Sequence, residues 1–157
     1  MKRLSELEKA IYQQWDIINS YKAIVDKYSD SNNSIDLSKE DILNYVLDIN
    51  PLFKYYRKER FYGLKESRET YQFIFNFSVK SNFVEPIVYC HNEHNDLEIG
   101  GSLINVCRLL RMQDDSAAVE LLPYPVFNTE LEFKKLIGDL YGVYSDMCIS
   151  VLKSNKS

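Results

Sequence analysis

From Tyr71 to Val79 the chain alternates: Tyr71, Phe73, Phe75, Phe77 and Val79 take every second position, with Gln72, Asn76 and Ser78 among those between. A strand sends successive side chains to opposite faces, so this run stacks four rings on one side of a sheet, whereas a helix would scatter them around its circumference. The pattern predicts a central strand over about 69–80 with an aromatic wall that something must cover. Lys80-Ser81-Asn82 reads as a hairpin loop and Phe83 to Cys90 as the next strand. That strand is apolar on both faces, with Phe83, Ile87 and Tyr89 on one and Val84, Val88 and Cys90 on the other, which places it centrally. Pro86 has no N–H for a ladder and implies a bulge or a free edge at its position. After the polar loop at 91–96, Leu97 to Ile99 begins a third strand, ended by Gly100 and Gly101. Short loops join strands antiparallel, so these runs form a meander. Ala117 to Leu122 is a candidate fourth strand or a helical turn.

Spacings of three and four govern both ends of the chain. Leu4, Leu7, Ile11, Ile18, Tyr21 and Val25 predict one amphipathic helix over 3–28, with Trp15 filling out its stripe. Ser38 caps a short helix carrying Ile42, Val46 and Ile49, which Pro51 ends. Residues 52–65 mix rings with Lys and Arg and read as one helix to about Tyr62, stopped by Gly63. Ser102 can cap a helix bearing Leu103, Val106, Cys107 and Leu110. Thr129 and Glu132 form a capping box for a long last helix to about Lys153, Asn128 being an equally good cap. Gly138 and Gly142 on that helix would let another element approach closely. The expected architecture is α+β. One domain spans 1–157: helical over 1–66, a β-meander of three to four strands over 69–101, and helical again over 102–153. Long amphipathic helices from both ends of the chain pack the sheet.

Composition narrows the class of function. The chain has 157 residues, 13% of them aromatic, including twelve Tyr. So many Tyr fit either a groove of half-exposed rings that meets a partner, or the edges of the core. The formal net charge of −4 points away from nucleic acid and toward a basic protein partner. Cys90, Cys107 and Cys148 are widely spaced, odd in number and set in apolar runs, as buried thiols of a reducing compartment are. The opening segment is charged and lacks an apolar signal core, and no run of about 18 apolar residues exists to span a membrane. A cytoplasmic location is therefore expected.

No catalytic motif stands out. His91 and His94 share a loop with Glu93 and Asp96, yet they supply two metal ligands at best where three or four are needed, so neither metal nor cofactor is expected. Gly100-Gly101-Ser102 lacks the spacing of a phosphate-binding loop, and a strand-to-helix turn accounts for its glycines. Glu85 sits inside an apolar strand, where a carboxylate requires a partner such as Lys80 or Arg108. Paired catalytic carboxylates belong in an apolar cleft, whereas the acids of this chain lie in polar loops. Glu93, Asp96 and Glu98, joined in space by Asp114 and Asp115, make a candidate docking surface that would steer a basic partner. The alternative is a nucleic-acid patch of Lys54, Arg57, Lys58 and Arg60 among Tyr rings, diluted by nearby Glu.

Five features together carry a family resemblance: the aromatic strand, Val79-Lys80-Ser81, Phe83-Val84-Glu85-Pro86-Ile87, Ile99-Gly100-Gly101-Ser102 and Cys107-Arg108-Leu109-Leu110. The segment from Tyr71 to Met112 resembles small immunity proteins of bacterial contact-dependent and polymorphic toxin systems. The resemblance implies a non-enzymatic domain that binds one cognate toxin domain, commonly a nuclease, and occludes its active site. It implies no particular site residue.

Overall fold

The alternation centred on Phe75 organises the whole molecule. A computed structural model describes residues 3–33, 35–113 and 122–154. Its sheet comprises β1 (Lys54–Tyr56), β2 (Phe61–Arg68), β3 (Tyr71–Lys80), β4 (Phe83–Asn92) and β5 (Glu98–Ser102). The strands lie in chain order and every neighbouring pair is antiparallel. Tyr71, Phe73, Phe75 and Phe77 are all buried. In register beside them on β4 are Val88 opposite Phe75 and Cys90 opposite Phe73, both fully enclosed.

Among the described residues, helices cover this face alone. They are α1 (Glu6–Trp15), α2 (Ile17–Lys27), α3 (Lys39–Ile49), α4 (Leu103–Gln113) and α5 (Glu130–Ser154). The long α5 lies over β3, where the Tyr144 ring stacks on Phe75 with centroids 5.7 Å apart. Phe53 wedges edge-on against Phe75 and Phe77 at 5.8 and 6.2 Å. Trp15 Nε1 donates to the Val143 carbonyl at 2.9 Å and so ties α1 to α5. The α+β class expected from sequence is the class observed.

Five strands replace the expected three to four, because residues 54–68 are not helical. The segment read as a helix to Tyr62 is a hairpin. Tyr55 pairs with Tyr62 and Tyr56 with Phe61. The rings of those pairs pack at 4.8 and 4.5 Å, a cross-strand gain that the helical reading lacked. Arg60 closes the turn in the left-handed region, at φ 59°, and its N–H donates to the Tyr56 carbonyl at 2.8 Å. Gly63 therefore stops no helix. It faces Asn76 across β2 and β3, and the Asn76 amide occupies the space where a Cβ would stand. The helical part of the N-terminal half ends at Ile49, and the sheet begins at Lys54 rather than near 69.

Three further expectations change. The helix over 3–28 breaks at Asp16 (φ 54°, ψ 44°), whose carboxylate accepts from the Asn19 amide at 2.9 Å. Local bonding of this kind lets Asp take the left-handed conformation, and the bend buries both Trp15 and Ile17. Gly100 and Gly101 lie inside β5 and do not end the strand. Nothing lies within 4 Å of where a Cβ would project from Gly138 or Gly142; α2 lies beside them, with Ser20, Ala23 and Ile24 across an open recess, and does not use the space the glycines leave. A candidate strand at 117–122 falls, apart from Leu122, outside the described residues.

Other expectations hold. The Asp41 N–H donates to Ser38 Oγ at 3.0 Å and the Glu132 N–H to Thr129 Oγ1 at 3.1 Å, capping α3 and α5. Asn128 instead holds the 30–33 loop, accepting from the N–H groups of Asn32 and Asn33 at 2.9 Å each. Pro86 sits where β4 has a locally free edge. The N–H of Val84, two residues earlier, points away from β3 to the Pro125 carbonyl at 3.1 Å. By alternation the nitrogen of Pro86 faces the same side, and the β5 ladder stops at Ile87 opposite Ser102.

The two kinds of glycine predict opposite mutational outcomes. Gly100 has φ +92°, and a Cβ there would lie 1.9 Å from the Val88 carbonyl oxygen. Gly100→Ala should cost about 2–4 kcal/mol. Gly138→Ala, in an open helical position, should stabilise by about 0.5–1 kcal/mol. Urea unfolding monitored by circular dichroism checks both.

Candidate functional site: the open face of the sheet

The second phase of the alternation builds the other side of the sheet, which no described helix covers. Ile74, Asn76 and Ser78 on β3 face the same way as Glu85, Ile87 and Tyr89 on β4, because Ile74 pairs with Tyr89 and Asn76 with Ile87. Register extends this face to Lys65 on β2, opposite Ile74, to Lys54 on β1, opposite Gly63, and to Glu98 on β5, opposite His91. Ile87 is 41% exposed and Tyr56 36%. Two ring pairs border the face, Tyr56 on Phe61 at 4.5 Å and Phe83 on Tyr124 at 5.5 Å.

A recess of about 660 Å³ opens between these ring pairs, with Arg60, Asn76, Lys80 and Ile87 among its walls. Glu85 stands in this recess. Its carboxylate pairs with Lys80 Nζ at 3.1 Å and accepts from Ser78 Oγ at 3.4 Å. Of the two partners considered from sequence, Lys80 is the one used. The pair is half open to solvent and contributes little to stability.

Charge is unevenly spread across the face. Lys54, Arg57, Lys58, Arg60 and Lys65 cluster on the β1–β2 side; all are exposed and none has an ion pair among the described residues. At the opposite end of the strands from the 57–60 turn, Glu93 accepts from the Gln72 amide on β3 at 3.1 Å, and Glu98 at the start of β5 accepts from the Tyr89 hydroxyl at 3.0 Å. Partial burial and that bond to Glu98 push the Tyr89 phenol up to about 12, so it remains a donor. Asp96 and His91 share a recess of about 480 Å³ at this corner. The structure thus brings Glu93, Asp96 and Glu98 together at one margin. Asp114 and Asp115 lie outside the described residues.

The histidines do not converge. His91 packs against Tyr89 with centroids 5.7 Å apart, and its Nδ1 is buried with no hydrogen-bond partner among the described residues. His94 is exposed in the loop, its N–H donating to Asn92 Oδ1 at 2.8 Å. Among the described residues no three His, Cys, Asp or Glu side chains are grouped as metal ligands would be. The Gly100 N–H donates to the Tyr12 hydroxyl at 2.8 Å and so is not available to an anion.

Protein-family models, curated proteins and solved structures were compared with the chain, and none matches. Function must therefore be argued from the surface itself. Among the described residues no helix is long and apolar enough to cross a membrane.

Sequence reading missed Ile74, Lys65, Tyr56 and Phe61 as parts of one surface. The signal was present: the residues between the aromatic positions of β3 belong to a common face, but they gain meaning only once β2 and β4 are registered beside them.

Of the two readings of the Tyr residues, half-exposed groove or core edge, many take the second. Tyr12, Tyr21, Tyr28, Tyr62, Tyr71 and Tyr144 are buried, and hydroxyls find partners, as Tyr144 does on Glu66 at 2.7 Å. All three thiols are buried as expected, and burial pushes Cys90 and Cys148 up to about 12 and Cys107 to about 11. A thiol held protonated in the folded state but free to ionise in the unfolded state favours unfolding as pH rises. Stability should be insensitive to these groups below about pH 8.5 and should fall above it, across the window up to about 12. Thermal melts at stepped pH check the sign, and native protein should react with a thiol reagent such as dithionitrobenzoate only as it unfolds.

Proposed function

We propose that the chain is a non-enzymatic protein-binding module that docks one partner on the open face of its sheet. The observation that carries this reading is a face that no described helix covers, with Ile74, Ile87 and Tyr89 at its centre and charged groups at two of its corners. Exposed apolar side chains rimmed by polar groups are the usual composition of a docking surface. The acidic corner of Glu93, Asp96 and Glu98 supplies long-range attraction for a basic partner and raises its association rate. The three thiols are buried and their pKa values are raised by burial, which argues against a thiolate nucleophile. The partner to test first is the one implied by the family resemblance, a secreted toxin domain that the chain would neutralise in the cytoplasm by occluding its active site.

The experiment is co-expression with the tagged C-terminal toxin domain encoded beside this chain. Stoichiometric co-purification is expected. Ile87→Glu should weaken capture about tenfold or more. Reversal of Asp96 and Glu98 to Lys should slow association and flatten its salt dependence. Capture untouched by both changes removes the open face as the docking surface. A second reading rests on the stacked Tyr56–Phe61 pair beside Lys54, Arg57, Lys58 and Arg60, a setting suited to single-stranded nucleic acid. Salt-sensitive binding of a poly-dT oligonucleotide, lost when those four residues are neutralised, would move the function there.

A further inference from the structure

We infer that the open face is self-complementary and pairs with a second copy of this chain in the absence of another partner. The inference rests on reading that face as a docking surface, as above. Its evidence is the placement of charges across and along the strands. Lys54 and Lys65 project from β1 and β2, and the exposed Arg57, Lys58 and Arg60 extend the same margin around the turn. Ile74, Ile87 and Tyr89 form the middle strip on β3 and β4. Glu98 projects from β5, and Glu93 reaches the face through Gln72. Cations thus occupy the corner at β1 and the 57–60 turn, and carboxylates the diagonally opposite corner: four strand spacings of about 4.8 Å away across the sheet and, from Lys54 to Glu98, four residues or roughly 13 Å along it.

A two-fold axis lying in the plane of the face and crossing the strands obliquely, perpendicular to that diagonal, exchanges the two corners. The β1–β2 cations of one copy then meet the β5 carboxylates of the other, and the same contact repeats on the far side. This is the isologous arrangement required of a closed dimer. The strands of the two sheets then cross at a large angle, and near-orthogonal crossing is one of the two favoured ways for sheets to pack face to face. Ile87 of each copy is carried to the centre, next to the Ile74 and Tyr89 strips. Rotation about an axis normal to the sheet leaves the two faces side by side and covers neither.

The dimensions are adequate. Five strands about 19 Å across and ten residues about 33 Å long present roughly 600 Å² of flat area. Side-chain relief raises this toward the about 800 Å² per partner of a standard interface. The partner need not bring a new surface chemistry, because the cations of the β1–β2 margin have no ion pair of their own among the described residues.

Sedimentation equilibrium of the purified full chain tests the inference. A species of twice the 18.5 kDa chain mass is expected, weakening between about 0.05 M and about 0.5 M salt as screening shortens the reach of the charged corners. The paired reversal Lys54→Glu with Lys65→Glu should weaken the dimer at least tenfold. So should Glu93→Lys with Glu98→Lys, and the four changes combined should restore it. Ile87→Glu should abolish it. Circular dichroism confirms that each variant is folded; should Ile87→Glu fail to fold, the exposed lysine reversals carry the test. A chain that is monomeric at every concentration overturns the inference, as does a dimer indifferent to all these changes. The outcome separates from the preceding section: a monomer that captures the toxin domain leaves that reading intact and sinks this one. A charge-dependent dimer that never captures it does the reverse.

Discussion

The contact between Phe75 and Tyr144 is the constraint on which the remaining structure depends. Alternation in β3 puts four rings on one side of the sheet, and rings of that size left in water would forfeit the main driving force for folding. One long helix meets the demand. Along α5, Phe133, Leu136, Leu140, Tyr144 and Cys148 turn inward at helical spacing, and Tyr144 also reaches Glu66 on β2 through its hydroxyl. Once α5 lies there, α1 is held to it by the Trp15 indole. Phe53 fills the gap between α5 and the β1 end of the sheet, touching Phe75, Phe77 and Tyr141.

That single-sided demand explains why the other face stays open. Every described helix packs on the aromatic side, and nothing equivalent is required on the side of Gln72, Ile74, Asn76 and Ser78. Antiparallel sheets commonly divide their faces in this way. The open side keeps a few apolar groups among its polar ones, and it is wide enough for charge to separate across the strands. Whatever the chain binds, the cost of exposing Ile87 and Tyr56 has been accepted on this face, while the residues opposite are closed almost completely.

Much of this was legible from residues alone. The period of two in β3, the period of three and four in α5 and the caps at Ser38 and Thr129 each state a local preference that the tertiary fold does not oppose. The segment at 54–68 was not legible for a definite reason. Tyr55, Tyr56, Phe61 and Tyr62 lie close enough together to satisfy either period, and only cross-strand packing of one ring pair on the other selects the hairpin. The break at Asp16 was hidden similarly, since the apolar stripe continues through it and the bend is set by what Trp15 and Ile17 must reach. As for the candidate site, Glu93, Asp96 and Glu98 were legible as a cluster because they are near in sequence. Lys65, Ile74 and Ile87 were not, because they come from three strands.

Sequence by itself determined the identity of the elements with strong periodicity, the burial of the cysteines and the acidic loop, since each rests on residues a few positions apart. Tertiary structure alone decided the strand register, the side on which the helices lie and the separation of Lys54 and Lys65 from Glu93 and Glu98. Those features depend on hydrogen-bonded partners tens of residues distant. No local pattern carries that information, because a shift of one residue in register would move every one of these side chains to the opposite face.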